Sequence, residues 1–180
     1  MRPVTEFTTA RFRMRALRRC DLEALFPTMA DEATALYLTR PAVTAHGDLW
    51  RWLADPGWPG RTWIAEDRES GAVAGRFIAV PAGQEGVEEI GYIVCLEYRG
   101  QGVARECVAA LVRHLFSDAG GAARKLTAEV DTRNAASVGL LEALGFTREA
   151  HLREYDETHA GMCDVYLYGL LAREMGQGSL

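Results

Sequence analysis

The stretch from Glu89 to Leu115 constrains this chain more than any other. Glu89-Ile90-Gly91-Tyr92-Ile93-Val94-Cys95 reads as a buried strand, and Leu96 to Gly102 as a short bend. From Val103 the apolar residues return at Cys107, Leu111 and Leu115, flanked by Ala104, Val108 and Val112. Arg105, Glu106 and Arg113 fall on the other side, so the spacing predicts an amphipathic helix with a solvated back. Gly100 and Gly102 let the backbone turn sharply and come close to a ligand. The first helical turn leaves N–H groups without intrahelical partners, which favours an anion such as a phosphate. The junction therefore reads as a pyrophosphate cradle.

The flanking segments supply a sheet and its covering helices. Arg11 to Arg15 alternate as a half-buried strand should, and Leu22, Leu25, Phe26 and Met29 mark a helix that must accommodate Pro27. Thr44 is the expected cap of a short helix bearing Leu49, Trp50 and Leu53. Residues 62–66 and 72–80 form two strands around a Glu69-Ser70-Gly71 turn. Lys125 to Asp131 alternate cleanly, and a helix over 135–144 ends at Gly145. Two last strands are expected over 147–155 and 162–170, with residues 1–8 and 172–180 as loose ends. Trp50, Trp52, Trp58 and Trp63 crowd together, either as core or as one wall of a ligand pocket. The order predicts one α+β domain over residues 1–180, with an ordered core of about 9–171 and helices covering a mixed sheet.

Composition removes several function classes. Apolar residues make up 48% of the chain and charged ones 25%, so a folded core is expected rather than disorder. The net charge of −5 gives no footprint for general nucleic-acid binding and suits a cationic partner. No stretch has the length of a membrane span, and no apolar leader opens the chain. Cys20, Cys95, Cys107 and Cys163 lack metal or CxxC spacing and read as reduced thiols, which fits a cytoplasmic protein. His151, His159 and Cys163 form no recognised ligand set, so no metal is expected.

Three blocks in order carry a resemblance to a family. Arg99-x-x-Gly102-x-Ala104 matches the Arg/Gln-x-x-Gly-x-Gly/Ala acetyl-CoA motif of the GNAT superfamily of N-acetyltransferases. Glu89-Ile90-Gly91-Tyr92, and Thr9 to Arg15 ahead of Asp21, are similar to RimJ/RimL-type members. Asn134-Ala135-Ala136-Ser137, leading to Leu144-Gly145-Phe146, resembles the family's Asn-x-x-Ser block before Gly-Phe. The resemblance implies a GNAT-like acyl-CoA N-acyltransferase fold: a central mixed sheet of six to seven strands with about four helices. It implies acetyl-CoA as co-substrate, no metal, and direct transfer to a primary amine in a ternary complex. The acceptor would be a protein N-terminal α-amine or a small amine, and both monomer and homodimer stay open.

Site residues follow from the same likeness. Backbone groups of Ile93, Val94 and Cys95 would pair with the pantetheine arm as an added strand does. Arg99, Gly100, Gln101, Gly102, Val103 and Ala104 would hold the pyrophosphate. Asn134 would bond the pantetheine or the pocket edge, or serve as a helix-start residue, or both. Three catalytic candidates emerge: Glu89 as base, Ser137 as acid toward the leaving thiolate, and Glu154 near the acceptor amine. Each has a plainer role: a structural carboxylate at Glu89, a bond from Ser137 to the carbonyl one turn back, an exposed strand acid at Glu154. Where many relatives carry a catalytic tyrosine this chain has Leu141, which strengthens the case for Ser137 and also keeps open a catalytically silent CoA-binding regulatory or interaction domain. A Rossmann nucleotide site is disfavoured, because Arg105 stands where its third glycine belongs.

Overall fold

A computed structural model describes residues 3–175 of the chain. Strands β1 (Phe7–Thr8), β2 (Phe12–Ala16), β3 (Arg61–Asp67), β4 (Val73–Pro81), β5 (Val87–Val94), β6 (Lys125–Asp131), β7 (Thr147–Thr158) and β8 (Gly161–Leu171) form one sheet. Their order is β1-β2-β3-β4-β5-β6-β8-β7, and β5 with β6 is the parallel pair. Five helices cover it: α1 (Leu22–Met29), α2 (Glu32–Ala35), α3 (His46–Leu53), α4 (Val103–Phe116) and α5 (Ala135–Ala143). The sheet thus has eight strands, and one helix more than expected flanks it.

Side-chain alternation divides the sheet into two faces. On one, Phe12, Met14, Trp63, Phe77 and Ile90 pack against Val103, Cys107, Leu111 and Leu115 of α4 and Leu141 of α5. On the other, Ile64 and Val73 meet Leu22, Leu25 and Met29 of α1 and Leu49 and Leu53 of α3. Each large side chain buried this way contributes roughly 1.5–3 kcal/mol. Two covered faces change one expectation. Arg15, placed on a half-exposed strand by alternation, is 2% exposed because α1 and the turn before it close over the second face. It is held there by Asp21 and Glu66.

Several ends differ from the sequence reading for local reasons. Part of the expected loose N-terminus is fixed, since Thr5 accepts from the Trp63 indole at 3.0 Å and Phe7 stacks on His114 at 4.4 Å. Ala45, not Thr44, is the N-cap of α3, and no side chain caps it. Pro27 lies in the last turn of α1, which ends two residues later. The β7–β8 hairpin runs to Thr158 and resumes at Gly161, tighter than the turn predicted from Glu157 to Gly161. Residues 172–174 form a short 3-10 turn, and the rest of the expected tail beyond Met175 lies outside the described residues.

The feature that positions the site is a parting of strands. β5 pairs with β6 only at Val87, Glu88 and Glu89, after which the two diverge. β5 stays paired with β4 through Val94, so its other edge is open from Ile90 onward.

Candidate active site

The bend after β5 is a 3-10 turn over Leu96–Tyr98, closed by the Tyr98 N–H donating to the Cys95 carbonyl at 2.9 Å. Gly100 and Gly102 follow with φ of 73° and 75°, a left-handed path that a residue with a Cβ enters only at about 1–2 kcal/mol. Gly102 is the N-cap of α4, and its carbonyl accepts from Glu106 N–H at 3.1 Å. Among the described residues, no protein acceptor meets the amides from Gly100 to Arg105. Arg11 braces this loop through the Gln101 carbonyl at 3.0 Å and the Glu106 carboxylate at 2.6 Å. The Gln101 side chain bonds the Glu97 carbonyl at 2.6 Å, so only its amide is offered to a ligand.

From this cradle a cleft of about 500 Å³ runs between the open edge of β5 and α5, reaching Tyr92 and Ser137. Arg99 flanks it, donating to the Thr34 hydroxyl at 2.6 Å. Thr34 is itself held by Asp31, which accepts its N–H at 2.8 Å and its hydroxyl at 2.6 Å. Arg99 thereby fastens α2 beside the cleft, a role its motif position does not reveal.

The open edge of β5 corrects one expectation. The N–H of Cys95 is spent on the Ala74 carbonyl at 2.9 Å, and its carbonyl on Tyr98. Its thiol turns away toward the Ala24 carbonyl at 3.8 Å, and burial pushes it up to about 11, so it is no nucleophile. The carbonyl of Ile93 also faces β4, so close that a Cβ at Gly75 would sit 2.5 Å from it. Backbone direction alternates along a strand, so Tyr92 and Val94 aim their N–H and C=O groups at the open cleft. Of Ile93, Val94 and Cys95, only Val94 keeps a main-chain group for a ligand, its N–H, since its carbonyl accepts from Arg99 Nε at 3.4 Å; Tyr92 adds both of its own.

Asn134 lines this cleft and caps α5, its side-chain oxygen accepting from Ser137 N–H at 3.1 Å. It is therefore a helix-start residue that also stands at the pocket edge. Among the described residues the Ser137 hydroxyl makes no bond to the helix carbonyl one turn back; it lies in the cleft beside Tyr92. The Tyr92 phenol is sealed from solvent, with the Ser137 hydroxyl beside it and no partner in full hydrogen-bond geometry. Burial raises its pKa, and the adjacent Ser137 hydroxyl offsets part of that rise. A buried donor left unmatched is a place where a ligand acceptor belongs. Leu141 is fully buried in the core and offers nothing to the cleft. Tyr92 was legible in the sequence as the residue of opposite parity to Glu89 on β5, though its exposure to this cleft was not.

A second hollow of about 280 Å³ adjoins the first, sharing Tyr37, Tyr92, Ile93, Asn134 and Ser137 with it. Its own walls include Glu89, Glu129 and Asp131 on the sheet, Trp52 of α3, and Arg76. Glu89 has no hydrogen-bond partner among the described residues, so the plain structural role does not account for it. Burial first, then the Glu129 charge, raise its carboxyl above the ordinary 4.5. The folded protein therefore holds that proton more tightly than the unfolded chain does. The contribution of Glu89 to stability is greatest in acid and is lost as pH climbs from 4.5 through the raised value. Glu89→Gln should accordingly melt higher than the parent at pH 8 and lose that advantage toward pH 4.5, measured by thermal denaturation at both.

Glu154 is not brought to either hollow. It lies in the irregularity between Leu152 and Asp156, at φ 46°, with an exposed carboxylate and its N–H bonded to Asp164 at 2.9 Å. The bulge turns it out of the regular strand path. Among the described residues no cluster of His, Cys, Asp or Glu is arranged to hold a metal ion, and no helix is long and apolar enough to cross a membrane.

Comparison with known proteins decides the family. The pattern of the acetyltransferase (GNAT) domain matches residues 11–147. The chain belongs to the GNAT acetyltransferases. This GNAT chain is 34% identical over 91 residues to the uncharacterised N-acetyltransferase p20 of Bacillus licheniformis, a match spanning 51% of the chain and half the length of p20. It is 26% identical over 163 residues to YkkB of Bacillus subtilis, covering 87% of the chain and 94% of YkkB. Its fold superposes on a GNAT-family acetyltransferase from Bacillus anthracis with a TM-score of 0.86 at 19% identity, over 94% of this chain and all of that one. Two further GNAT neighbours act on different acceptors. RimL, a ribosomal L7/L12 α-N-protein acetyltransferase solved with coenzyme A, has a TM-score of 0.77 at 18% identity, covering 93% and 98% of the two chains. A spermidine N-acetyltransferase of Vibrio cholerae, solved with CoA and spermine, gives 0.76 at 21%, covering 91% and 97%. Likeness at this level carries the GNAT fold and does not single out the RimJ/RimL type.

Proposed function

We propose that this GNAT chain transfers the acetyl group of acetyl-CoA directly to a small primary amine, with both substrates bound together. The observation that carries the reading is the pair of adjoining hollows, one ending on unpaired amides and the other on a raised carboxylate, which meet at Tyr92 and Ser137. Acetyl-CoA supplies a thioester whose acyl carbon accepts an amine. The amides of Gly100 to Ala104 hold its pyrophosphate, and main-chain groups of Tyr92 and Val94, with Asn134, align its arm.

An amine attacks only when neutral, and free amines hold their proton up to about 7.7–8.0 for an α-amine and 10.4 for lysine. Glu89, its carboxyl shifted upward toward a useful base, accepts that proton directly or through water. As the carbon–nitrogen bond forms and the carbon–sulfur bond breaks, Ser137 and Tyr92 meet the departing sulfur with hydroxyl donors. The limited second hollow favours a small amine over a folded protein's terminus. The displacement of Glu154 weighs against the RimL-like assignment made from sequence.

The test is steady-state release of CoA thiol with a panel of amines and N-terminal peptides, alongside calorimetric titration with CoA. Turnover with small amines supports the reading. CoA binding without turnover on any amine would leave the catalytically silent alternative. Gly102→Val should weaken CoA binding by roughly tenfold or more, since it adds strain at the cradle. A dissociation constant within twofold of the parent would count against the cradle.

A further inference from the structure

The second hollow holds a charge that amine chemistry does not require. Arg76, on β4 opposite Ile93, is only 8% exposed yet lines this hollow. Among the described residues it takes part in no salt bridge. Its Nη2 donates to the Thr62 hydroxyl at 3.3 Å, Trp58 lies with its ring 5.4 Å from the guanidinium carbon, and its Nε is sealed without any partner. Every other buried or half-buried arginine of the sheet has a carboxylate: Arg15 has Asp21 and Glu66, and Arg61 has Glu88. Burial alone pushes Arg76 down to about 10, with no nearby acid to oppose it. A guanidinium buried this way is expensive unless an anion completes it.

The strand register shows how the hollow is polarised. Arg76 and Ile78 on β4 lie opposite Ile93 and Gly91 on β5, and Glu89, two residues further along, shares that face. Thr127 pairs with Glu89, so Glu129 and Asp131 of β6 continue the same face on the other side. One end is therefore acidic, and the other carries an arginine without a counterion, beside Ile78 and Trp58. A diamine or polyamine would leave Arg76 unmatched and set like charges against it. Resting on the transferase reading above, we propose that the acceptor is a small amino-carboxylate, its amine at the Glu89 end and its carboxylate paired with Arg76. The planar guanidinium presents a fork that suits a carboxylate's two oxygens.

The experiment uses the whole protein with saturating acetyl-CoA. Glycine, the protein amino acids and unbranched ω-amino acids of up to six carbons are each compared with the matching carboxamide and with the diamine of equal length. The best acid should exceed its amide in kcat/KM by roughly tenfold or more, because the amide leaves Arg76 unpaired. Arg76→Met should abolish that preference, mainly through KM, while retaining turnover of the amide; Arg76→Lys should keep part of it. Propionate, butyrate and valerate, at constant ionic strength, should inhibit the parent competitively against the amine, a readout that needs no variant to fold. Preference for diamines, amides or neutral peptide N-termini, or an acid preference that survives Arg76→Met, would overturn the proposal. Absence of turnover with every amine would instead sink the transferase reading on which it rests.

Discussion

Replacing Ser137 with alanine should lower kcat by about 10²-fold or more, while the dissociation constant for CoA stays within about threefold. The hydroxyl sits where the two hollows meet and is not engaged with its own helix, so its removal disturbs chemistry more than structure. Asn134 still caps α5 through the main-chain N–H of residue 137, which alanine retains. Tyr92→Phe should produce a loss of the same kind, since it removes a buried hydroxyl that neighbours Ser137 and binds no structural group in full hydrogen-bond geometry. The double variant should lose less than the product of the two single losses, as expected for groups serving one sulfur. Steady-state kinetics and calorimetry on the three variants check this. Unchanged kcat in Ser137→Ala, Tyr92→Phe and the double variant would assign the proton donor to water.

Asp21→Ala should destabilise the fold by about 3–5 kcal/mol, the range for removing one partner of a buried ion pair. Arg15 donates to both carboxylate oxygens of Asp21 at 2.8 Å and to Glu66 at 2.5 Å, with Arg15 and Asp21 each 2% exposed. Asp21 also accepts the Arg18 N–H at 2.7 Å, tying the turn that starts α1 to β2. For a domain of this size the loss corresponds to a melting point lowered by roughly 6–20 °C. Replacing both partners, Arg15→Met with Asp21→Leu, should recover part of that loss, because the most deeply buried charges leave together and Glu66 keeps Arg18 at 3.8 Å. Calorimetric melting of the single and double variants distinguishes the two outcomes.

The strand, the bend and the helix from Glu89 to Phe116 were legible because local rules govern them: alternation, two glycines in left-handed conformations, and an apolar stripe. The strand Lys125–Asp131 and the capped helix after Asn134 were legible for the same reason. What escaped depends on pairing between distant segments. The direction of each backbone group on β5 is set by its ladder with β4, so the sequence pointed to Cys95, whose groups are spent, and passed over Tyr92, whose groups stay open. Arg15 and Arg76 look like solvent-facing members of alternating strands, and only the covering of the second face by α1 and α3 makes them buried. Glu154 left its expected place through a bulge that no residue pattern announced.

The parting of β5 from β6 after three paired positions has a cost and a use. It leaves peptide groups waiting for partners in the middle of the molecule, where a continuous ladder would have consumed them. The unliganded protein is correspondingly less stable than the same chain with its gap zipped shut, and a strand-like ligand returns that stability by mass action. Recognition through the peptide backbone also leaves the side chains of β5 other than Tyr92 uncommitted to the donor. They are free to shape the neighbouring chamber, so one scaffold can exchange its nitrogen substrate without rebuilding its grip on the thioester.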